Sequence, residues 1–212
     1  MITAIIPAKS KSTRIPNKNT IDLGGKPLFQ WTFDICQKIK AINKVIVATD
    51  SKRIAKEANK NNYEVYPLSE EDIEEKRTVD GLWKEIAEKH KGIHLVLQPT
   101  SPFRDIKEIK SAINLYETKK YDFIFAVKLV EDLIVNDFGK NHKDLSKRLS
   151  QNEKPLKIIC GNFYLSHSEY IKNNNNLQKG NLFPFVVKSL SSIDIDTIDD
   201  LEYARIIAKG LA

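Results

Sequence analysis

The sequence predicts an α/β protein whose sheet is mostly parallel and covered by helices on both faces. Three observations carry this. Short apolar, β-branched runs at residues 2–6, 44–49 (KVIVAT), 94–98 (HLVLQ) and 122–127 (DFIFAV) have the length and continuity of strands buried on both sides. Segments with apolar residues at helical spacing separate them. Turn and cap residues (Pro7, Asp50-Ser51, Asn61-Asn62, Asp105) stand at the borders.

Taken in order, Ile2, Ala4, Ile5 and Ile6 form the first strand, which Pro7 stops. A cation- and hydroxyl-rich loop, residues 8–19, follows. Leu23-Gly24-Gly25-Lys26-Pro27 reads as a turn, with Pro27 as the first residue of a helix carrying Leu28, Trp31, Thr32, Ile35 and Ile39. After the 44–49 strand, Asp50-Ser51 caps a helix that turns Ile54, Ala55 and Ala58 inward. Residues 63–66 make a short third strand. The acidic stretch 67–76 lacks apolar periodicity and reads as a loop with helical turns. Val79, Leu82, Trp83, Ile86, Ala87 and His90 mark an amphipathic helix. Beyond the 94–98 strand, Asp105 caps a helix bearing Ile106, Ile109, Ile113 and Tyr116, and the 122–127 strand completes a βαβαβαβαβ series with right-handed crossovers.

The pattern breaks at residues 128–155, a long polar excursion of the kind that forms lids or dimerisation arms. Order resumes at 158–165, an Asn run at 173–176 marks a turn, and 183–188 reads as a strand. Ser192-Ile193-Asp194-Ile195-Asp196 reads as a further strand. Asp199 is the expected cap of a last helix through Leu201, Ala204, Ile207, Ala208 and Leu211. With 212 residues and no linker or repeat, the chain reads as one domain, 1–212.

Composition excludes several classes. Hydrophobic residues at 41% and charged residues at 29% fit a soluble globular chain, and no run reaches the ~20 apolar residues of a membrane helix. No basic segment followed by a long apolar one opens the chain, so a cytoplasmic location is expected. Cys36 and Cys160 lack metal spacing and read as reduced core residues. The net charge of +6 admits nucleic acid as a partner. Its lysines are scattered over predicted helix faces, however, which reads as solvation, so no nucleic-acid partner is expected.

Three constellations can carry chemistry. Lys9, Ser10, Lys11, Ser12, Thr13, Arg14 and Lys18 supply the cations, hydroxyls and amides a polyphosphate needs, at the carboxyl end of the first strand. Neither a Walker loop nor a dinucleotide glycine motif is present, and the same pattern fits a solvated basic loop. Asp194 and Asp196 flank Ile195, which in a strand places both carboxylates on one face, suited to Mg²⁺; an exposed strand face is the alternative. Gln98-Pro99-Thr100-Ser101-Pro102 ends a buried strand with polar groups, as a ligand-facing turn or merely a stiff one. His90, His94, His142 and His167 show no ligand or nucleophile spacing.

Together these blocks resemble the acylneuraminate cytidylyltransferases. The resemblance rests on Ile6-Pro7-Ala8, Arg14-Ile15-Pro16-Asn17-Lys18-Asn19, Gly25-Lys26-Pro27-Leu28, residues 45–50, residues 98–104 and Ile193-Asp194-Ile195-Asp196-Thr197, in the family's order. It implies a three-layer αβα nucleotidyltransferase fold, a homodimer whose arm lies near 128–155, and CMP transfer from CTP to the anomeric hydroxyl of an α-keto acid sugar with release of pyrophosphate. By the motif match Lys9, Ser12 and Lys18 would hold phosphates, with Ala8 and Asn19 near the cytosine and Ser10 and Arg14 also in the nucleotide site. Asp194 and Asp196 would hold Mg²⁺. Gln98 would face the reacting hydroxyl, with Thr100, Ser101, Gly161 and Tyr164 in the blocks that line the sugar pocket, and Lys18, Gln98 and Asp196 would carry catalysis. The chain departs from the family at Lys9 (usually Arg), Lys11 (often Gly), Thr13 (usually Lys) and Tyr66 (an Arg before Pro67 that helps with the base). Ser12-Thr13-Arg14 is similar to the CMP-KDO synthetases, so KDO or another surface-polysaccharide precursor is the alternative substrate. The block at Gly161-Asn162-Phe163-Tyr164 is closer to the pseudaminic and legionaminic acid branch. A nucleotide-sugar-binding protein without catalysis is the alternative outside the enzymes.

Overall fold

The computed structural model describes residues 1–74, 78–130, 155–174 and 179–211. Within these, the chain runs β1 (Ile2–Pro7), a 3-10 turn (Lys18–Thr20), the short strands β2 (Asp22–Leu23) and β3 (Lys26–Pro27), and α1 (Leu28–Lys38). Next come β4 (Ile42–Thr49), α2 (Lys52–Lys60), β5 (Glu64–Pro67), α3 (Glu70–Ile73), α4 (Val79–Lys89), β6 (Ile93–Val96) and α5 (Ile106–Thr118). β7 (Phe123–Val130), β8 (Leu156–His167), α6 (Ser168–Asn173), β9 (Leu182–Val186) and α7 (Ile198–Leu211) complete it. The 128–155 excursion falls mostly outside the described residues, as does His142.

One seven-stranded sheet has the order β5-β4-β1-β6-β8-β7-β9. β5, β4, β1 and β6 are parallel, and β7 pairs in parallel with β9. β8 runs antiparallel to both β6 and β7, so the expected series of parallel neighbours is interrupted once. Alternate residues of the central strands serve opposite layers. Ala4, Ile6, Val45 and Val47 pack with Phe33 of α1, Ile54 of α2 and Ile109 of α5, whereas Ile5, Ile46 and Ala48 pack with Leu82, Trp83 and Ile86 of α4. A third cluster lies to one side: Ile15 of the basic loop, Leu23, Leu28, Phe103 and Ile195 pack on Leu201, Ala204 and Ala208 of α7.

Several element ends differ from expectation for local reasons. Pro27 is the N-cap of α1 rather than its first residue, with φ −60° and ψ 147°, and Gly24 and Gly25 make the β2–β3 turn with φ of 64° and 83°. Ser51 alone caps α2, its hydroxyl accepting from Ile54 N. The acidic stretch contains α3, started by a reciprocal Ser69–Asp72 capping box. The residue capping α7 is Thr197, not Asp199: Leu201 N donates to Thr197 O, Asp200 N to Thr197 Oγ1, and Thr197 N and Oγ1 donate back to the Asp200 carboxylate. Ser192 closes a turn, and residues 193–196 belong to no strand; Ile195 N donates instead to Thr100 O at 2.8 Å.

Both cysteines are buried, and burial pushes the Cys36 thiol up to about 12 and raises that of Cys160, so both stay protonated at neutral pH. His94 is fully enclosed between layers, accepting from Trp83 Nε1 at Nδ1 and pairing Nε2 with His90 O. Burial holds its pKa down at about 4, so the folded state resists the proton that the unfolded chain accepts near 6.5. Its contribution is therefore complete above pH 6.5 and is lost as pH falls from 6.5 towards 4, about 3 kcal/mol in all. Denaturant melts at pH 7 and 4.5 should show that loss, and His94→Gln, which cannot take up a proton, should flatten it.

Candidate active site

Chain order in the sheet reverses between β1 and β6, since the chain leaves β1 towards β4 and β5 and returns to β6 on the other side. Such a switch point opens a crevice beyond the carboxyl ends of the strands. Here a cleft of about 520 Å³ is lined by Ala8, Lys9, Lys11, Ser12, Thr13, Arg14, Lys18 and Asn19, by Gln98, Pro99 and Thr100, and by Asp194 and Asp196. Leu68, Asp72, Thr78, Val79 and Leu82 form the opposite wall. A larger depression of about 800 Å³, lined by Gln37, Asn43, Lys44, Asn61 and Tyr63, lies at the far ends of the strands and gathers neither a carboxylate pair nor the loop cations.

The basic loop is held in shape by its own neighbours. Ala8 N donates to Ala48 O and Thr49 Oγ1 to Ala8 O, both continuing the β1–β4 pairing. Asn19 Nδ2 donates to Lys9 O at 2.8 Å, and Asn17 adopts the left-handed conformation (φ 56°) that turns the chain into the 3-10 turn. Ile15 drops its side chain into the third cluster beside Ile195. That apolar contact brings the loop against a segment about 180 residues later.

The result is a compact charge cluster. Lys18, itself buried, donates from Nζ to Ile195 O at 2.9 Å and to Asp196 Oδ1 at 3.0 Å. Arg14 Nη2 reaches the same Asp196 oxygen at 2.9 Å. Two cations thus share one carboxylate oxygen through charge-assisted hydrogen bonds. Asp196 N is bound in turn by the Asp200 carboxylate, which fixes the segment on the start of α7. Asp194 lies deeper. Its Oδ1 accepts from Ser101 Oγ at 3.4 Å, and a Cβ placed on Gly161 would sit 2.8 Å from its Oδ2 and 2.7 Å from Gln98 Oε1.

The structure thus brings Ala8, Lys9, Ser12, Arg14, Lys18, Asn19, Gln98, Thr100, Asp194 and Asp196 to one cleft. Ser101 and Gly161 stand behind Gln98 and Asp194, almost fully buried. Ser10 points elsewhere: its N–H (2.7 Å) and its hydroxyl both donate to the Asp50 carboxylate. Tyr164 is half-buried, packs towards Phe123 in the second core layer, and has its hydroxyl pushed up to about 12 by burial and by the Asp194 charge. Tyr66 gives its hydroxyl to Glu85 and takes a hydrogen bond from Lys89, both on α4, and does not line the cleft. Sequence reasoning missed Asp50, which it treated as a helix border. The signal was a carboxylate at the carboxyl end of the strand beside the basic loop.

Among the described residues no three His, Cys, Asp or Glu side chains gather as a ready-made metal cluster. The donor set is Asp194 and Asp196 with the hard oxygens of Gln98 and Ser101 close by. That set suits Mg²⁺, which takes one or two carboxylates and completes its shell with phosphate and water. It does not suit a metal held by protein ligands alone.

A family described as cytidylyltransferase matches residues 3–154. The chain is 29% identical over 211 residues to the CMP-N,N'-diacetyllegionaminic acid synthase of Legionella pneumophila, covering 92% of this chain and 91% of that protein. It is 26% identical over 225 residues to the pseudaminic acid cytidylyltransferase of Campylobacter jejuni, covering 97% and 95%. A solved CMP:2-keto-3-deoxy-manno-octonic acid synthetase complexed with CTP superimposes with a TM-score of 0.76 over 100% of this chain and 99% of that one, at 16% identity, a likeness of fold. With the matched region spanning most of its length and containing both the basic loop and the Gln98 turn, the chain belongs to the cytidylyltransferase family.

Proposed function

We propose that the protein transfers CMP from CTP to the anomeric hydroxyl of a nonulosonic acid, an α-keto acid sugar of the sialic, legionaminic or pseudaminic type, and releases pyrophosphate. The observation that carries the reading is the meeting of Lys18 and Arg14 with Asp196 beside Gln98 and Asp194, at the mouth of the sheet's switch point. The names of the relatives matched over nearly their full length set the sugar class.

In this reading the nucleotide lies along the basic loop, with its triphosphate on Lys9, Ser12, Arg14 and Lys18 and its base near Ala8 and Asn19. Ser10 acts indirectly, by tying that loop to Asp50. The sugar lies against Gln98 and Thr100, over the floor made by Ser101 and Gly161. Its hydroxyl attacks the α-phosphorus while pyrophosphate leaves in line, a displacement that gains mainly from alignment and from cations on the phosphate oxygens. Asp194 and Asp196 would hold Mg²⁺, which neutralises charge on those oxygens when bound. Arg14 and Lys18, which both reach Asp196, stabilise the same charge from the protein side.

The chain works in the cytoplasm as a homodimer in this reading. Leu129, Ile159 and Val186 leave exposed apolar side chains on one face of the sheet where β7, β8 and β9 run towards residues 131–154, and a second copy would cover them. No helix among the described residues is long and apolar enough to cross a membrane.

Pyrophosphate release with CTP, Mg²⁺ and a panel of α-keto acid sugars tests the assignment. Turnover with a nonulosonic acid is expected. Turnover with KDO alone, as Ser12-Thr13-Arg14 would favour, would move the substrate class, and CTP binding without turnover on any sugar would make the chain a binding protein.

A further inference from the structure

Arg104 carries a buried charge to which the roles above give no task. Its guanidinium makes three hydrogen bonds: Nε donates to Asn162 O at 2.7 Å, Nη1 to Thr32 Oγ1 at 3.0 Å and Nη2 to Gln98 O. None of the acceptors is a carboxylate, and the residue is 7% exposed. Burial pulls its pKa down to about 10, which leaves it charged at neutral pH, with the Asp194 carboxylate supporting the charge from further away. A buried cation with no ion pair costs stability, and a neutral or apolar side chain would fill the same space more cheaply.

Each acceptor belongs to a different segment, and of the three only Gln98 itself lines the cleft. Gln98 O is the joint where the β6 segment gives way to the turn, and it also accepts from Ser101 N. Asn162 follows Gly161, and its Nδ2 donates to Ser191 O, which anchors the turn leading into Asp194. Thr32 is on α1, buried and rigid. A planar guanidinium fixes the mutual spacing of three acceptors in a way a lysine ammonium cannot. The segments so tied are those whose atoms crowd together at Gln98 Oε1, Gly161 and Asp194 Oδ2.

We propose that Arg104 is a positioning residue for the acceptor-sugar half of the cleft: without touching substrate, its fork sets the distance between the Gln98 amide and the Asp194 carboxylate. The proposal rests on the cytidylyltransferase reading above. It predicts a split, because the basic loop that holds the nucleotide is braced independently by Asp50, Asn19 and Thr49.

The test compares wild type with Arg104→Lys, which keeps the charge and loses the fork, and with Thr32→Val, which removes one acceptor. CTP affinity is measured by calorimetry without metal, Mn²⁺ affinity by electron paramagnetic resonance with CTP present, and sugar KM and kcat by pyrophosphate release. Arg104→Lys should bind CTP as wild type does, while Mn²⁺ affinity falls about tenfold and kcat/KM for the sugar falls about 10–100-fold. Thr32→Val should show the same split, smaller. Wild-type values in Arg104→Lys would overturn the proposal. So would a parallel fall of CTP, Mn²⁺ and sugar affinity with the melting temperature, the mark of general loosening. If Arg104→Lys does not fold, Thr32→Val decides: CTP affinity kept with Mn²⁺ and sugar affinity lowered supports the role, and no change in any of them rejects it. Failure of the functional reading is seen separately, as wild type that turns over no sugar, whether or not it binds CTP.

Discussion

Asp196→Asn is expected to abolish turnover while the fold survives. The amide keeps one oxygen to accept from Lys18, and the backbone N–H of residue 196 still donates to Asp200. The carboxylate it replaces is 42% exposed at its side chain, where an ion pair contributes at most ~1 kcal/mol to stability. The loss therefore falls on charge. Asp196 is one of the two carboxylates proposed to hold Mg²⁺, and removing it should lower kcat by at least about 10²–10³-fold, the scale seen when one electrostatic contact to a transition state is removed. Arg14 and Lys18 also lose their counter-charge, so metal-free CTP should bind as well as before or tighter. Pyrophosphate release, calorimetry with CTP and a thermal melt read the three effects. Near-normal turnover would remove Asp196 from the metal site.

What was legible beforehand follows from what periodicity encodes. Continuous apolar runs and helical spacing carry element type, so β1, β4, β6 and the helices between them were readable. Direction is not encoded: residues 158–165 look the same in either sense, and only the observed pairing shows β8 antiparallel between β6 and β7. The alternation in Ile193-Asp194-Ile195-Asp196 correctly sends Ile195 inwards, yet no strand pairs with it, because alternation reports side-chain facing and not a ladder. Asp199 lost the cap to Thr197 because a capping box needs its acid three residues after the hydroxyl, and Asp200 holds that place.

The site was legible as separate blocks, and their convergence was not. Ile15 and Ile195 were the overlooked clue, apolar residues that interrupt otherwise polar stretches. Both go to the third cluster and so bring Lys18 to Asp196. Asp50 was marked only by its place at the end of the strand beside the basic loop, and Arg104 acts mainly through backbone carbonyls of other segments, a role that leaves no local pattern.

Gly161→Ala should have the second large effect, and on activity rather than stability. The backbone at Gly161 is not in the left-handed region, so alanine fits its conformation. The constraint is space: the added Cβ would lie 2.7 Å from Gln98 Oε1, 2.8 Å from Asp194 Oδ2 and 3.2 Å from Ser101 Oγ. All three are ends of side chains, which can swing aside with little harm to the core. Swinging aside, however, takes Gln98 and Asp194 out of place, and a displacement near 1 Å in a positioned reaction costs about 10²-fold in rate. The expected result is a melting temperature close to wild type, unchanged metal-free CTP affinity, and kcat lowered about 10²-fold with sugar KM raised. An active Gly161→Ala enzyme would show that Gln98 and Asp194 do not meet the substrate from the positions seen here. An unfolded one would place Gly161 in the core's packing.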